Sequence, residues 1–179
     1  MIDINHLDKI KFCPHYFGLG FIQLKINDNL RYHFYHPELC ATLDEEEIHD
    51  HRYDFTSRVL KGSLYTEVYS FHKDDTGDFI KSQVSCDPNN PIENSEIEYG
   101  RIKNLISFTV SCPDHYFINK DTYHKVSTIG TCITKLVREP TVKKFANVIR
   151  NKNKEIVCPF KSNISTTVCW EIINECITN

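Results

Sequence analysis

An all-β, mainly antiparallel fold is what this 179-residue sequence predicts. Short segments rich in β-branched and aromatic residues recur along the chain, turn-forming residues separate them closely, and helical spacing emerges clearly only at 165–177. Many short strands of this kind close into a sandwich or a barrel, because each buries one face and must find a partner for it.

In chain order, strands are expected at 16–26, 30–36, 47–60, 63–71, 79–86, 105–112, 115–118, 123–127 and 131–139. The stretch NDN at 27–29 suits a hairpin turn, and Gly62 suits a tight one after the third strand. DDTGD at 74–78 reads as a hairpin tip, whereas 87–100 is polar, contains two prolines and reads as a loop. Beyond Pro140 the composition shifts. TVKKFANVIR at 141–150 is compatible with a short helix or a strand. In 165–177, Val168, Ile172, Ile173 and Cys176 recur at helical spacing, which predicts a helix packed outside the barrel with Trp170 as a partly buried anchor. The chain reads as one domain, 1–179, with a barrel core at about 16–140 and an extension at 141–179.

A composition of 40% hydrophobic and 25% charged residues has enough apolar surface to form a core, which excludes extended disorder. The net charge of -3 gives no electrostatic footprint for nucleic acid. Asp44, Glu45, Glu46 and Glu47 form a short acidic run that reads as a solvated loop. No run approaches the ~20 apolar residues of a membrane span, and the first residues lack a signal-peptide pattern, so a cytoplasmic location is expected. The eight cysteines, Cys13, Cys40, Cys86, Cys112, Cys132, Cys158, Cys169 and Cys176, form no CxxC pair and are expected as thiols.

The chemistry concentrates in IHDH at 48–51. Alternation along a strand puts His49 and His51 on one face, about 7 Å apart along the chain, where two imidazoles can reach one divalent ion. A third ligand must then come from elsewhere. His124, delivered by the turn at 119–122, is the candidate. Asp54 or Glu67 could add an oxygen ligand if a strand bulges.

HDHRYDFTSRVLKG resembles the first motif of the cupin superfamily, in which an HxH pair precedes a glycine at this separation; the glutamate usual between them is absent here. YFINKDTYHKVS is similar to the second motif, with His124 as its histidine, although the usual proline and glycine are missing. Within the superfamily the likeness is to the cysteine dioxygenase type, and it covers about residues 45–140. The resemblance implies a jelly-roll β-barrel holding Fe(II) through His49, His51 and His124. The iron would bind an anionic substrate and dioxygen at its open positions; Zn, Ni or Mn remain alternatives. Three neutral ligands leave the ion its full charge, which favours an anion. The cysteine that these enzymes crosslink to tyrosine falls near Thr56, and their Ser-His-Tyr relay falls on Thr134, Leu136 and Arg138, so neither device is retained. A homodimer through strand edges is a further implication of the resemblance.

For a small anionic substrate the expected cation is an arginine, whose planar fork matches a carboxylate. Arg138 shares its parity with Thr134, and Arg31 shares a face with His33 and Tyr35; Arg58 is a further candidate, and His33 a polar wall residue. Tyr53, Tyr65 and Tyr123 are candidate proton donors near the metal. The sequence thus reads as an Fe(II)-dependent dioxygenase-like cupin. Two alternatives stay open: a non-catalytic module that holds a nucleotide, a sugar or another small ligand, and a metal-dependent isomerase, decarboxylase or hydrolase.

Overall fold

The computed structural model describes residues 11–17, 19–39, 48–84, 97–154 and 164–178. The acidic run at 44–47 and most of the 87–100 loop lie outside them, as do Cys40, Cys86 and Cys158. The described residues form twelve strands and one helix: β1 Pro14–Phe17, β2 Phe21–Lys25, β3 Leu30–Tyr35, β4 Ile48–His49, β5 Phe55–Lys61, β6 Ser63–Lys73, β7 Phe79–Val84, β8 Glu98–Ser111, β9 His115–Ile118, β10 Tyr123–Thr128, β11 Cys132–Arg138, β12 Ala146–Asn151 and α1 Thr166–Thr178. One sheet has the order β1-β2-β3-β11-β5-β9, and six strands close a barrel in the order β10-β4-β12-β7-β8-β6, with every described pairing antiparallel.

Several expected boundaries shift, each for a local reason. The strand expected at 16–26 is a hairpin, β1 and β2, broken at Gly20, whose φ of 84° belongs to the left-handed region. The strand expected at 47–60 is interrupted. After His49 the chain leaves the ladder because the Asp50 and His51 amides bond to the carbonyls of Asn147 and Lys120 instead, and β5 starts only at Phe55. β8 begins at Glu98, inside the segment read as loop. The ambiguous stretch at 141–150 resolves as strand β12 at its end, and β12 joins β7 to β4. Barrel closure therefore needs residues beyond the expected limit of 140.

The β1-β2-β3-β11-β5-β9 sheet sorts its side chains by parity. From β2 and β3, Ile22, Leu24, Tyr32 and Phe34 pack with Ile133 against Cys169, Ile172, Ile173 and Cys176 of α1. Trp170 joins this cluster at its edge, as expected, but Val168 does not: it is exposed, and Cys169 takes the buried place. Ser165 caps the helix, its Oγ accepting the Val168 amide at 3.3 Å. At the other end Lys61 Nζ donates to the Cys176 carbonyl at 2.6 Å, tying α1 to β5. The opposite parity, including Phe21, His33, Tyr35, Phe55, Ser57 and Leu136, turns away from the helix and lines a cavity. Gly62 links β5 to β6 with φ 73°, and a Cβ there would sit 2.3 Å from the Thr131 carbonyl oxygen. Only glycine fits both demands. Cys13, Cys112, Cys132, Cys169 and Cys176 are all free thiols. Among the described residues no helix is long and apolar enough to cross a membrane.

Candidate metal centre

His49 and His124 are direct cross-strand partners on β4 and β10. Such neighbours on one face bring their Cβ atoms within about 5.5 Å, so register alone places two imidazoles together. His51 follows just after β4 and turns to the same side. The ring centroids lie 4.9 Å apart for His49 and His51, 4.9 Å for His49 and His124, and 5.0 Å for His51 and His124. One ligand nitrogen from each ring falls within 4.8 Å of the others.

The Nε2 atoms of His51 and His124 are 3.4 Å apart. Two ligands at about 2.1 Å from one ion, subtending about 109°, are separated by about 3.4 Å, so this edge has the length that tetrahedral coordination requires. The His124 tautomer follows from its partner. A carbonyl can only accept, so Nδ1 of His124, 3.2 Å from the Thr122 oxygen, carries the proton and Nε2 presents its lone pair to the cluster. Burial holds His51 well below the ordinary imidazole range and pushes His124 down to about 3, with the neighbouring histidines adding to both shifts. Both are therefore neutral, as metal ligands must be. The three side chains fit a divalent cation by nitrogen spacing, and His51 and His124 fit it by protonation as well.

The frame around them is ionic and is built from residues between the strands. Asp50, between the two histidines, is 2% exposed. Its carboxylate accepts the Asn147 amide at 2.6 Å, Asn147 Nδ2 at 2.6 Å and Lys143 Nζ at 2.7 Å. Lys143 also reaches the Lys120 carbonyl at 3.3 Å and Asp121 at 3.2 Å, in the turn that leads to His124. Asp54 Oδ1 accepts the Lys120 amide at 2.6 Å. The HxH segment and the His124 turn are thus held to each other by one lysine, three carboxylates and backbone bonds. Sequence reading missed Lys143, whose only signal was a strand-like segment of undecided type. Asp54 and Glu67, the expected oxygen donors, stay out of the cluster; Glu67 instead pairs with Lys125 at 3.0 Å.

A cavity of about 80 Å³ opens beside the histidines, its wall including Phe21, His33, Tyr35, Phe55, Ser57 and Tyr116. Burial pushes the Tyr116 hydroxyl up to about 12, despite nearby hydroxyls of Ser57 and Thr66, and raises Tyr35 well above its ordinary value. Burial, with a smaller contribution from the Arg31 charge, lowers His33 to about 3. His33 Nε2 is buried without a hydrogen-bond partner, and Phe21 packs on its ring at 4.6 Å.

The structure redistributes the other expected site residues. Tyr53 lies outside the cavity, its ring packed 5.6 Å from that of His51. Arg31 and Arg138 sit over the Tyr53 ring at 5.4 and 4.9 Å, so cation–π attraction holds both guanidinium groups there. Arg31 Nη1 also donates to Gln23, and Arg138 donates to the Asp28 carbonyl and to Thr141. Arg58 faces out and donates to the Pro113 carbonyl, because Ser57 and Val59 take the inward parity of β5. Tyr65 is 41% exposed, turned out by buried Leu64 and Thr66 on either side. Tyr123 is opposite in parity to His124, and burial, with Asp50, Glu98 and Asp121 nearby, raises its hydroxyl to about 12. Tyr35, Tyr116 and Ser57 were not singled out in sequence as site residues. Tyr35 was legible by parity with His33, but nothing local marks Tyr116 or Ser57, which arrive on β9 and β5.

No family model matches this chain, and no curated protein matches it either. Among solved structures it is similar to Drosophila melanogaster CENP-C bound to CAL1, with 8% identity, a TM-score of 0.39, and coverage of 74% of this chain and 85% of that one. It is also similar to hydroquinone 1,2-dioxygenase from Sphingomonas sp. TTNP3 with 4-hydroxybenzoate bound, with 8% identity, a TM-score of 0.36, and coverage of 65% of this chain and 63% of that one. At overlaps this low, the architecture stands on the chain's own strand order, and the site on its own three histidines.

Proposed function

We propose that this chain is a cupin-type metalloprotein that binds Fe(II) through His49, His51 and His124 and acts on a small anionic molecule as a dioxygenase. The 3.4 Å separation of His51 and His124 Nε2, with His49 completing the cluster, is the observation that carries this reading. When bound, iron would supply open positions for substrate and dioxygen and the electrons for oxygen chemistry. The chain's own part is to present three imidazoles, uncharged ligands that leave the ion at full charge toward an anion, and to shield the site with apolar walls. Zn, Ni or Mn would suit the same nitrogens and would support an isomerase, decarboxylase or hydrolase instead.

One observation favours a second reading, a module that binds a small ligand without turnover. Tyr35 and Tyr116 keep their protons far above neutral pH and His33 stays unprotonated down to about 3, so none of these three wall groups is poised to exchange a proton near pH 7. Metal analysis of protein purified without chelator separates the readings when followed by oxygen consumption with thiols and small acids. One iron per chain, lost in His124→Ala, together with oxygen uptake supports the oxygenase. A metal-free protein that carries a copurified ligand overturns it in favour of the binding module.

A further inference from the structure

All six arginines of the chain lie among the described residues, and none of them borders the cavity. Arg31 and Arg138 are held on Tyr53, Arg58 on the Pro113 carbonyl, Arg101 on Asp74 at 2.7 Å, and Arg150 on Ser82 at 3.3 Å. Arg52 is likewise absent from the wall. Lys125 does border it, but its ammonium is paired with Glu67. The described wall therefore offers a ligand aromatic and aliphatic surface, the uncharged hydroxyl groups of Ser57, Tyr35 and Tyr116, and the unpartnered Nε2 of the His33 imidazole. A carboxylate pressed against such a surface would lose its hydration without gaining a counter-ion. Among the described residues, a cation held by His49, His51 and His124 would be the positive charge it could touch directly, with the Arg31 guanidinium behind His33 and His51 adding to the field at that same end.

From this distribution of charge we infer that the ligand is a small monoanionic acid, with its single charge at the metal-binding end and an uncharged tail against Phe21, Tyr35, Phe55 and Tyr116. The inference rests on the three-histidine metal reading and narrows it. Dicarboxylates, which carry a second charge away from the metal, are disfavoured. The volume of about 80 Å³ limits the enclosed tail to a few heavy atoms, since a dry cavity of ~150 Å³ is what a benzene molecule occupies.

The test uses the full chain loaded with cobalt(II), whose absorption spectrum reports its ligands, titrated with two acids that share one chelating head. Lactate ends in a methyl group and malate ends in a second carboxylate. The inference expects lactate to perturb the cobalt spectrum with at least tenfold higher affinity than malate. Equal affinities, tighter malate binding, or no response to either acid would overturn it. Failure of the underlying metal reading shows separately, as a protein that takes up no cobalt before any acid is added.

Discussion

Lys143 and Asp50 form an ion pair at 2.7 Å across 93 residues of sequence, and Asp50 is the residue between the two histidines of the HxH pair. The same ammonium bonds the turn before His124, so one side chain ties together both segments that supply imidazoles. The distance between His51 and His124 is therefore set in part by groups that are not themselves in the histidine cluster. Groups of this kind orient metal ligands without touching the metal.

Lys143→Met keeps the length of the side chain and removes its charge. Asp50 would retain Asn147 but lose its counter-ion while buried, which costs about 3 kcal/mol of stability. Metal affinity should fall about 10- to 100-fold in the protein that remains folded. Denaturant titration and cobalt titration read the two effects separately, and unchanged cobalt affinity would remove Lys143 from the frame.

Acid should destabilise the metal-free protein well above the carboxylate range. His33 and His124 titrate near 3 and His51 well below its ordinary value when folded, against 6.5 as the ordinary value. Between those limits the unfolded chain binds more protons, so stability is complete above pH 6.5 and declines as pH falls toward 3. From pH 7.5 to 5.5 the loss is about 1.4 kcal/mol per histidine, about 3 kcal/mol for His33 and His124 together, with His51 adding in the same direction. Urea midpoints that stay flat across this interval would contradict neutral, buried rings.

Gly62→Ala should lower stability by roughly 2 kcal/mol or more, because the residue is left-handed and the new methyl group meets the Thr131 carbonyl oxygen at 2.3 Å. That clash falls on backbone, which cannot rotate away. A thermal melt within a degree or two of the parent would show that this turn opens at little cost.

Arg138→Ala tests where the guanidinium resides. With Arg138 on Tyr53 and away from the cavity, lactate affinity of the cobalt-loaded protein should change by less than about twofold, and stability should drop by about 1 kcal/mol. A large loss of acid binding would instead return Arg138 to the ligand, as its parity with Thr134 suggests from sequence.

Local periodicity was enough to predict the all-β class, the C-terminal helix, the turn at Gly62 and the shared face of His49 and His51, because each depends on residues close in sequence. His124 was legible as a candidate through motif spacing; its cross-strand match to His49 is a matter of register, which chain-distant pairing decides. The directions of the arginines were not legible. Parity turns Arg31 and Arg138 inward, but only the packing of Tyr53 between them determines that they stop on its ring and never reach the cavity. The frame of Asp50 and Lys143 and the wall of Ser57 and Tyr116 are likewise products of tertiary structure. A strand's alternation specifies which side a residue faces, whereas its neighbour on that side depends on which distant strand folds against it.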